Sequence, residues 1–209
     1  MAKCSCRISA TSVESILVVE VAPDGRVVRG TRNREAIVDA LLSLYDEGVL
    51  RPSGAEVAQR AGVSARSLHN HFADMESLRA EVADRQWERV GHLTEPPPAG
   101  CSFDERVEML VERRSAFFEA ITPVRRAAML SVHESPTIAR RLARAARTLR
   151  TQLHALFAAE LAGAPEGMLE AIDLCTSWDA WERLRTQQRL SVTAAKRVVA
   201  STLHALLDT

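Results

Sequence analysis

Four polar residues around Leu68 are suited to contact nucleic-acid bases if this segment is a helix. At about 100° per residue, with Leu68 pointing inward, Arg66 lies at about 160° and Asn70 at about 200°, on the opposite side. Arg matches the edge of guanine, and Asn matches the edge of adenine. The flanking residues Ser67 and His69 can reach phosphates or bases. The spacing therefore predicts a helix face that reads DNA bases, and the alternative is an ordinary solvated face.

The surrounding residues predict a short helix, a turn and a second helix. Ser53 and Glu56 have the spacing of a capping box, which marks the start of a helix. Gly62 ends this helix, and Ser64 caps the next one, which contains Leu68. Two short helices joined by a turn that contains Gly are typical of a helix-turn-helix, whose second helix enters the major groove of DNA.

This segment resembles the DNA-binding domain of the tetracycline-repressor (TetR) family over roughly residues 31–78. The resemblance rests on Arg34-Glu35-Ala36-Ile37-Val38-Asp39-Ala40, Glu47-Gly48, Glu56-Val57-Ala58-Gln59-Arg60-Ala61-Gly62-Val63-Ser64 and Ser67-Leu68-His69-Asn70-His71-Phe72. It implies a cytoplasmic, homodimeric repressor that a small apolar effector releases from a palindromic double-stranded DNA operator. The residues that we expect at the DNA are Ser53, Ala65, Arg66, Ser67, His69, Asn70, His71, Arg29 and Arg32.

Two positions depart from the family pattern. His69 stands where the family usually has Tyr, and Met75 stands where it usually has Lys; both family residues are associated with phosphate contacts. His69 can still donate a hydrogen bond, but Met75 cannot make a charged contact. The segment 26–34 contains four arginines and no acid, so it could supply the missing charge as an arm that tracks phosphates or enters the minor groove. The alternative for this segment is a solubilising linker.

The apolar periodicity predicts an all-α chain in three parts. Residues 1–25 form an N-terminal extension, either a hairpin from Ile16–Val21 through an Asp-Gly turn to Arg26–Val28 or a mobile arm. Residues 26–78 form the three-helix DNA-binding domain, and residues 79–209 form a helical bundle for effector binding and dimerisation. In that bundle we expect a helix at about 103–120 and a new helix that starts at Thr122-Pro123. Further helices are expected at 137–161, 166–188 and 191–207.

The last two predicted helices carry apolar residues over wide faces, which indicates burial on more than one side. The resemblance implies that they pack against their twins in a dimer, although a stable monomeric bundle is the alternative. The residues that we expect at this interface are Trp181, Val192, Ala195, Val199, Leu203 and Leu206.

Large apolar residues with a few polar neighbours are candidates for the effector pocket, since apolar cavities with few polar groups bind small molecules. Each of them could equally be plain core. They are Phe117, Phe118, Met129, His133, Phe157, Cys175 and Trp178.

Composition and motifs limit the other classes of protein that this chain could belong to. The 27 basic and 27 acidic residues give no global positive field, so any DNA contact depends on local charge. The sequence contains no run of about 18 apolar residues, so it predicts no membrane span. The four cysteines are scattered, and Cys4-Ser-Cys6 alone is a weak metal signal, so we expect a reduced chain without metal or cofactor. The sequence contains no nucleophile elbow, zinc-protease motif or phosphate loop, and we expect no enzyme. A helical protein-interaction module is the third alternative.

Overall fold

A computed structural model describes residues 25–207, with side chains from residue 29 onward, and contains no strand in that range. The all-α fold class predicted from the sequence is confirmed. The helices are α1 Gly25–Asp46, α2 Gly54–Arg60, α3 Ala65–His71, α4 Met75–Val90, a 3-10 helix Gly91–Thr94, α5 Phe103–Ser131, α6 Pro136–Leu156, α7 Ala158–Leu161, α8 Met168–Cys175, α9 Trp178–Glu182, a π-helix Arg183–Gln187 and α10 Val192–Leu207.

The N-terminal core joins α1, α2, α3 and the first half of α4. The capping box of Ser53 and Glu56 forms as predicted, with the Glu56 amide donating to the Ser53 hydroxyl and the Glu56 carboxylate accepting from the Ser53 amide. Gly62 has φ +66°, a left-handed conformation that Gly adopts without strain at the end of α2. The buried side chains of this core include Ile37, Leu41, Val57, Leu68, Phe72, Leu78 and Val82.

The first helix begins at Gly25, within the predicted N-terminal extension. Residues 25–28 belong to α1, so the interpretation of Arg26–Val28 as the second strand of a hairpin is wrong. A helix already anchored by its buried face extends at little cost, whereas an isolated hairpin is marginal in water. The predicted first strand, Ile16–Val21, lies outside the described residues.

The long helix α5 forms the centre of the C-terminal bundle and continues through Pro123, so the predicted helix start at Thr122-Pro123 is wrong. Pro123 has no amide hydrogen to donate to the Glu119 carbonyl, so α5 lacks one helical hydrogen bond there. Apolar packing on both sides of the proline outweighs this local break: Val111 and Phe118 pack in the C-terminal core, and Ala127 packs in the N-terminal core.

The remaining helix boundaries follow the sequence more closely. Ser102 and Glu105 have the spacing of a capping box in the sequence and form one at the start of α5, and Ser135 caps α6 immediately before Pro136. The predicted helix 166–188 is divided into α8, α9 and the π-helix, because Ser177 caps a new helix after Thr176. The domain boundary that we place after residue 78 falls within α4, which packs in both cores, and it stays a prediction.

Arg34 connects three helices of the N-terminal core. Its Nε donates to Glu81 Oε1 on α4 at 2.9 Å, and its Nη1 donates to the carbonyl of His71 at the end of α3 at 2.7 Å. Its guanidinium lies 4.3 Å from the ring centroid of Phe72. This side chain therefore holds the C-terminal end of α3 against α1 and α4.

Replacing Arg34 by Ala should lower the free energy of unfolding by about 1–2 kcal/mol, because several partly exposed interactions are removed together. Urea denaturation followed by circular dichroism measures the change. The control is Arg32→Ala, an exposed position on the same helix, which should stay within about 0.5 kcal/mol of the wild type. Equal destabilisation in the two variants would contradict the bridging role of Arg34.

Candidate nucleic-acid interface

The turn between α2 and α3 presents one face of α3 to solvent. Ser64 caps α3, with the Ser67 amide donating to its hydroxyl at 3.1 Å, and Leu68 packs inward. The opposite face carries three exposed side chains that can bind bases or phosphates: Arg66, His69 and Asn70. The predicted outward position of Arg66 and Asn70 is therefore confirmed, since both side chains are exposed. Their contact with DNA stays a prediction.

Local charge on this face is positive and uncompensated. Arg66 makes no ion pair with any residue between 29 and 207. By contrast, Arg60 at the end of α2 binds Glu47 through Nη2 and Oε2 at 2.7 Å, and this hydrogen bond lowers the pKa of Glu47. Glu56 at the start of α2 is likewise engaged, and its hydrogen bonds with Ser53 lower its pKa. The guanidinium of Arg66 thus remains available for an acceptor such as guanine or phosphate.

The other residues predicted at the DNA have mixed environments. Ala65 is exposed, and Ser67 is half-buried. The hydroxyl of Ser53 caps α2, as described above. His71 is half-buried on the side of α3 toward α1, where a Cβ built on Gly30 would lie 4.0 Å from its Cε1 atom. His71 therefore faces a neighbouring helix and not the outward face with Arg66.

The arginines of segment 26–34 lie on α1, so the segment that we expect to track phosphates or enter the minor groove is helical, and its contact with DNA stays a prediction. Arg29 and Arg32 are exposed near the start of α1, and neighbouring Gly30 places this end of α1 beside α3. Arg34 binds within the core and is not offered to a partner. The first turns of α1 therefore carry Arg29 and Arg32.

Met75 serves as a packing residue. Its side chain is half-buried against the N-terminal core, and its sulfur would lie 3.9 Å from a Cβ built on Gly54. It fills the space between α2 and the start of α4. Apolar packing between two helices thus stands where the family usually has a lysine.

Solved structures of similar fold cover most of the chain, whereas no protein-family model and no curated protein matches its sequence. A transcriptional regulator from Rhodococcus sp. Rha1 has 20% sequence identity and a TM-score of 0.65, over 86% of this chain and 96% of that one. A protein assigned to the TetR family of transcriptional regulators from Mesorhizobium loti has 19% identity and a TM-score of 0.57, over 86% and 97%. A TetR/AcrR-family regulator from Aquifex aeolicus has 15% identity and a TM-score of 0.58, over 83% and 99%. The chain has the TetR fold.

In this TetR fold, only part of the predicted effector site lines a cavity. Phe118 and Cys175 line a cavity of about 10 Å³ between α5, α8 and α10, which has room for about one water molecule. Burial raises the pKa of the Cys175 thiol to about 11, so it stays a thiol at neutral pH. The other buried candidates, Phe117, Phe157 and Trp178, are core residues that line neither this cavity nor the second one, described below.

Two effector-site candidates are on the surface and line neither of the two cavities described here, so their place in a pocket stays a prediction. Met129 is exposed on the last turns of α5, and His133 is exposed in the turn that follows. The continuation of α5 through Pro123 carries both residues past the C-terminal core, which ends at Phe118 and Ile121 on this helix.

Arg114 is the functional candidate that sequence reasoning missed. It is 6% exposed, and its Nη1 donates to the carbonyl and hydroxyl of Thr176 at 2.9 and 2.7 Å. Burial lowers its pKa to about 10, so it remains charged at neutral pH. The available signal was its position at helical spacing between Val111 and Phe118, a charge on an apolar face.

The predicted dimer residues belong mainly to the core of one protomer. Trp181, Ala195, Val199 and Leu203 are buried against α5 and α8, with Leu203 at 0% exposure, so their assignment to an interface surface is wrong. Val192 and Leu206 are half-buried against the same core. The wide apolar face of α10 is covered by α5 and α8, a contact that periodicity alone does not identify. The exposed apolar side chains of these helices are instead Leu174 and Val198.

The arginine-rich face of α6 has the character of a solvated surface. Arg141 pairs with Asp84, and Arg150 pairs with Glu170. Arg140, Arg144 and Arg147 are exposed. Within residues 25–207, no group of three metal-ligating side chains could hold an ion, and no helix is long and apolar enough to cross a membrane.

Ser64→Ala should destabilise α3, because the helix has only seven residues and loses its N-cap. We expect a loss of about 0.5–2 kcal/mol, measured as faster amide hydrogen exchange in α3 and as a lower urea midpoint. Ser64→Asn is the matched control, since Asn caps helices about as well as Ser. The capping role is refuted if Asn and Ala accelerate exchange to the same extent.

Proposed function

We propose that the chain is a homodimeric DNA-binding transcriptional regulator, a repressor that a small-molecule effector releases from a palindromic operator. The observation that carries the proposal is the outward face of α3, where Arg66, His69 and Asn70 are exposed without a carboxylate partner among the described residues. A helix that follows a tight turn and presents Arg and Asn is suited to enter the major groove and contact guanine and adenine edges. The TetR fold of known transcriptional regulators supports the same function.

Positioning and base reading are divided between two helices in this proposal. The start of α1 lies beside α3, so Arg29 and Arg32 are placed to contact the phosphate backbone while α3 lies in the groove. Phosphate contacts fix the register of the protein on the duplex, and base contacts determine its sequence preference. The local charge of these two helices acts despite the net charge of zero.

A second copy of the chain is needed because one α3 reads only one half-site. The exposed apolar side chains of α8 and α10 support a dimer surface there: Leu174 is 70% exposed and Val198 is 42% exposed. On α10, Val198 shares a stripe with the small residues Ala194, Ser201 and Ala205, over which another helix could approach closely. These residues take the place of the buried set that we expected from the sequence.

Effector release is proposed to act through α4. Its first half packs in the N-terminal core through Leu78 and Val82, and its C-terminal end continues into the 3-10 helix beside the C-terminal core. A tilt of α4 would change the separation of the two α3 helices, which must be near one turn of DNA, roughly 34–36 Å. The effector must bind the two states with different affinity to shift this balance.

Gel shifts with the DNA upstream of the protein's own gene, and with scrambled DNA, test the DNA-reading role. On the operator, Arg66→Ala should weaken the binding free energy by about 1–3 kcal/mol for each base contact that is lost. It should also relax the base preference at one base pair per half-site. Its affinity for scrambled DNA should change little. Arg32→Ala should weaken both DNAs alike and reduce the log–log salt slope by roughly one for each phosphate that the protein no longer binds.

Arg183→Ala, an exposed arginine of the C-terminal bundle, is the control and should leave both affinities unchanged. If wild-type protein binds operator and scrambled DNA equally, the regulator proposal fails. If Arg66→Ala weakens both DNAs equally, the reading face lies elsewhere.

Leu174→Asp and Val198→Asp should each dissociate the proposed dimer, because a charge would be buried without a partner. Analytical ultracentrifugation measures the dimer affinity, and circular dichroism checks that the helices persist. Thr193→Asp, an exposed position on another face of α10, is the control and should stay dimeric. Leu203→Asp should instead unfold the protomer. Unchanged dimer affinity in both of the first variants would place the interface on other helices.

A further inference from the structure

Arg114 is a buried cation without a carboxylate among its hydrogen-bond partners in the described part of the chain. Beyond its two bonds to Thr176, its Nη2 donates to the Leu149 carbonyl at 2.7 Å, and its Nε makes no hydrogen bond with the described residues. Asp173 is an acid whose charge attracts Arg114, but its Oδ2 lies 3.6 Å from Nη1 of Arg150, with which it forms an ion pair. Burial of a charge is costly unless an opposite charge compensates it.

Two other arginines of α5 show how a bound carboxylate compensates such a charge. Arg126 binds both carboxylate oxygens of Glu182, at 2.8 and 3.1 Å, and Arg106 binds Glu160. Both of those pairs are less buried than Arg114. The most buried arginine of this helix thus has hydrogen bonds only to neutral oxygens among the described residues.

Arg114 also lies between two cavities. The first is the small cavity that contains Cys175. The second, of about 20 Å³, lies between α5, α6 and the proline-rich linker that follows the 3-10 helix. Apolar side chains of Leu93, Leu149 and Leu156 form its walls, and Arg113 and Gln152 add polar groups. The cavity has room for about one water molecule in this conformation.

We propose that this second cavity binds a small amphipathic carboxylate, with the guanidinium of Arg114 as its counter-ion. The inference rests on the proposed function, for which it names the chemical class of the effector. A carboxylate can accept hydrogen bonds from Nε and Nη2 side by side, the planar arrangement that Arg favours. An alkyl or aryl group of the ligand packs against the leucines. A single negative charge suits the site, because the walls are apolar and Glu95 lies exposed at its edge.

Access requires displacement of the linker. Arg113 holds it through hydrogen bonds from Nη1 to the carbonyls of Glu95 and Pro96, at 2.7 and 3.1 Å. Leu93 and Thr94 in the cavity wall belong to the 3-10 helix that directly follows α4. A ligand that widens the cavity therefore moves the C-terminal end of α4, the helix that reaches the N-terminal core.

The test measures binding of a carboxylate and of its uncharged isostere to the full chain. Isothermal titration calorimetry is performed with straight-chain carboxylates of four to ten carbons and benzoate, each beside its primary amide. We expect at least one carboxylate to bind at least about tenfold more tightly than its amide. Arg114→Gln should abolish this preference and leave the affinity for the amide unchanged. Arg126→Gln, the matched control on the same helix, should retain the preference.

The proposal depends on the measured preference for carboxylates over amides. It is overturned if no carboxylate of the series binds the wild type, if the amides bind equally well, or if Arg114→Gln keeps the preference. If Arg114→Gln does not fold, Arg114→Lys replaces it, because Lys keeps the charge but lacks the planar fork. A reduced or abolished preference in the lysine variant supports the proposal, and an unchanged preference overturns it.

Failure of this inference is distinguishable from failure of the regulator function. Operator binding is measured without any carboxylate, so a protein that binds its operator but no carboxylate contradicts the ligand class alone. A protein that binds carboxylates through Arg114 but shows no preference for operator DNA contradicts the regulator function and leaves the ligand site standing.

Discussion

The shared packing of α4 and α5 in two apolar cores is the constraint on which the rest of the structure depends. Leu78 and Val82 fix the first half of α4 in the N-terminal core, and Val90 reaches the C-terminal core. Ala127 of α5 likewise packs in the N-terminal core, beyond the proline. Because close-packed cores transmit displacement instead of absorbing it, the orientation of α3 depends on how these two helices lie in the bundle. A function that couples ligand and DNA needs this continuity.

Arginine has two separate physical roles in this chain. Arg34, Arg106 and Arg126 use their planar guanidinium groups to join helices through carboxylates, and their charges are cancelled within the fold. Arg66 on α3 has no such partner in the described part of the chain, and buried Arg114 binds only neutral oxygens there. Arg66 and Arg114 are thus the two arginines at which an anionic partner is proposed, a nucleic acid outside and a carboxylate inside.

Predictions from local sequence patterns were wrong where packing between distant residues opposed them. Thr122-Pro123 has the pattern of a helix start, yet α5 continues because its residues on both sides of the proline are buried in different cores. The apolar breadth of α10 indicated burial on several sides, but it could not identify the partners. Within one protomer those partners are α5 and α8, which already cover Ala195 and Leu203. A buried face looks the same in sequence whether its own chain or a second chain covers it.

The sequence by itself determined the all-α class, the capped helix starts at Ser53, Ser64 and Ser102, and the outward position of Arg66 and Asn70. These features depend on hydrogen bonds and angles within a few residues, which spacing encodes directly. Only the tertiary structure decided that Arg34 is an internal bridge, that Met129 is exposed and that Arg114 is buried between two cavities. Those environments depend on side chains more than 30 positions away, such as Glu81 for Arg34 and Thr176 for Arg114. No local pattern contains such interactions, because they exist only after the helices have packed.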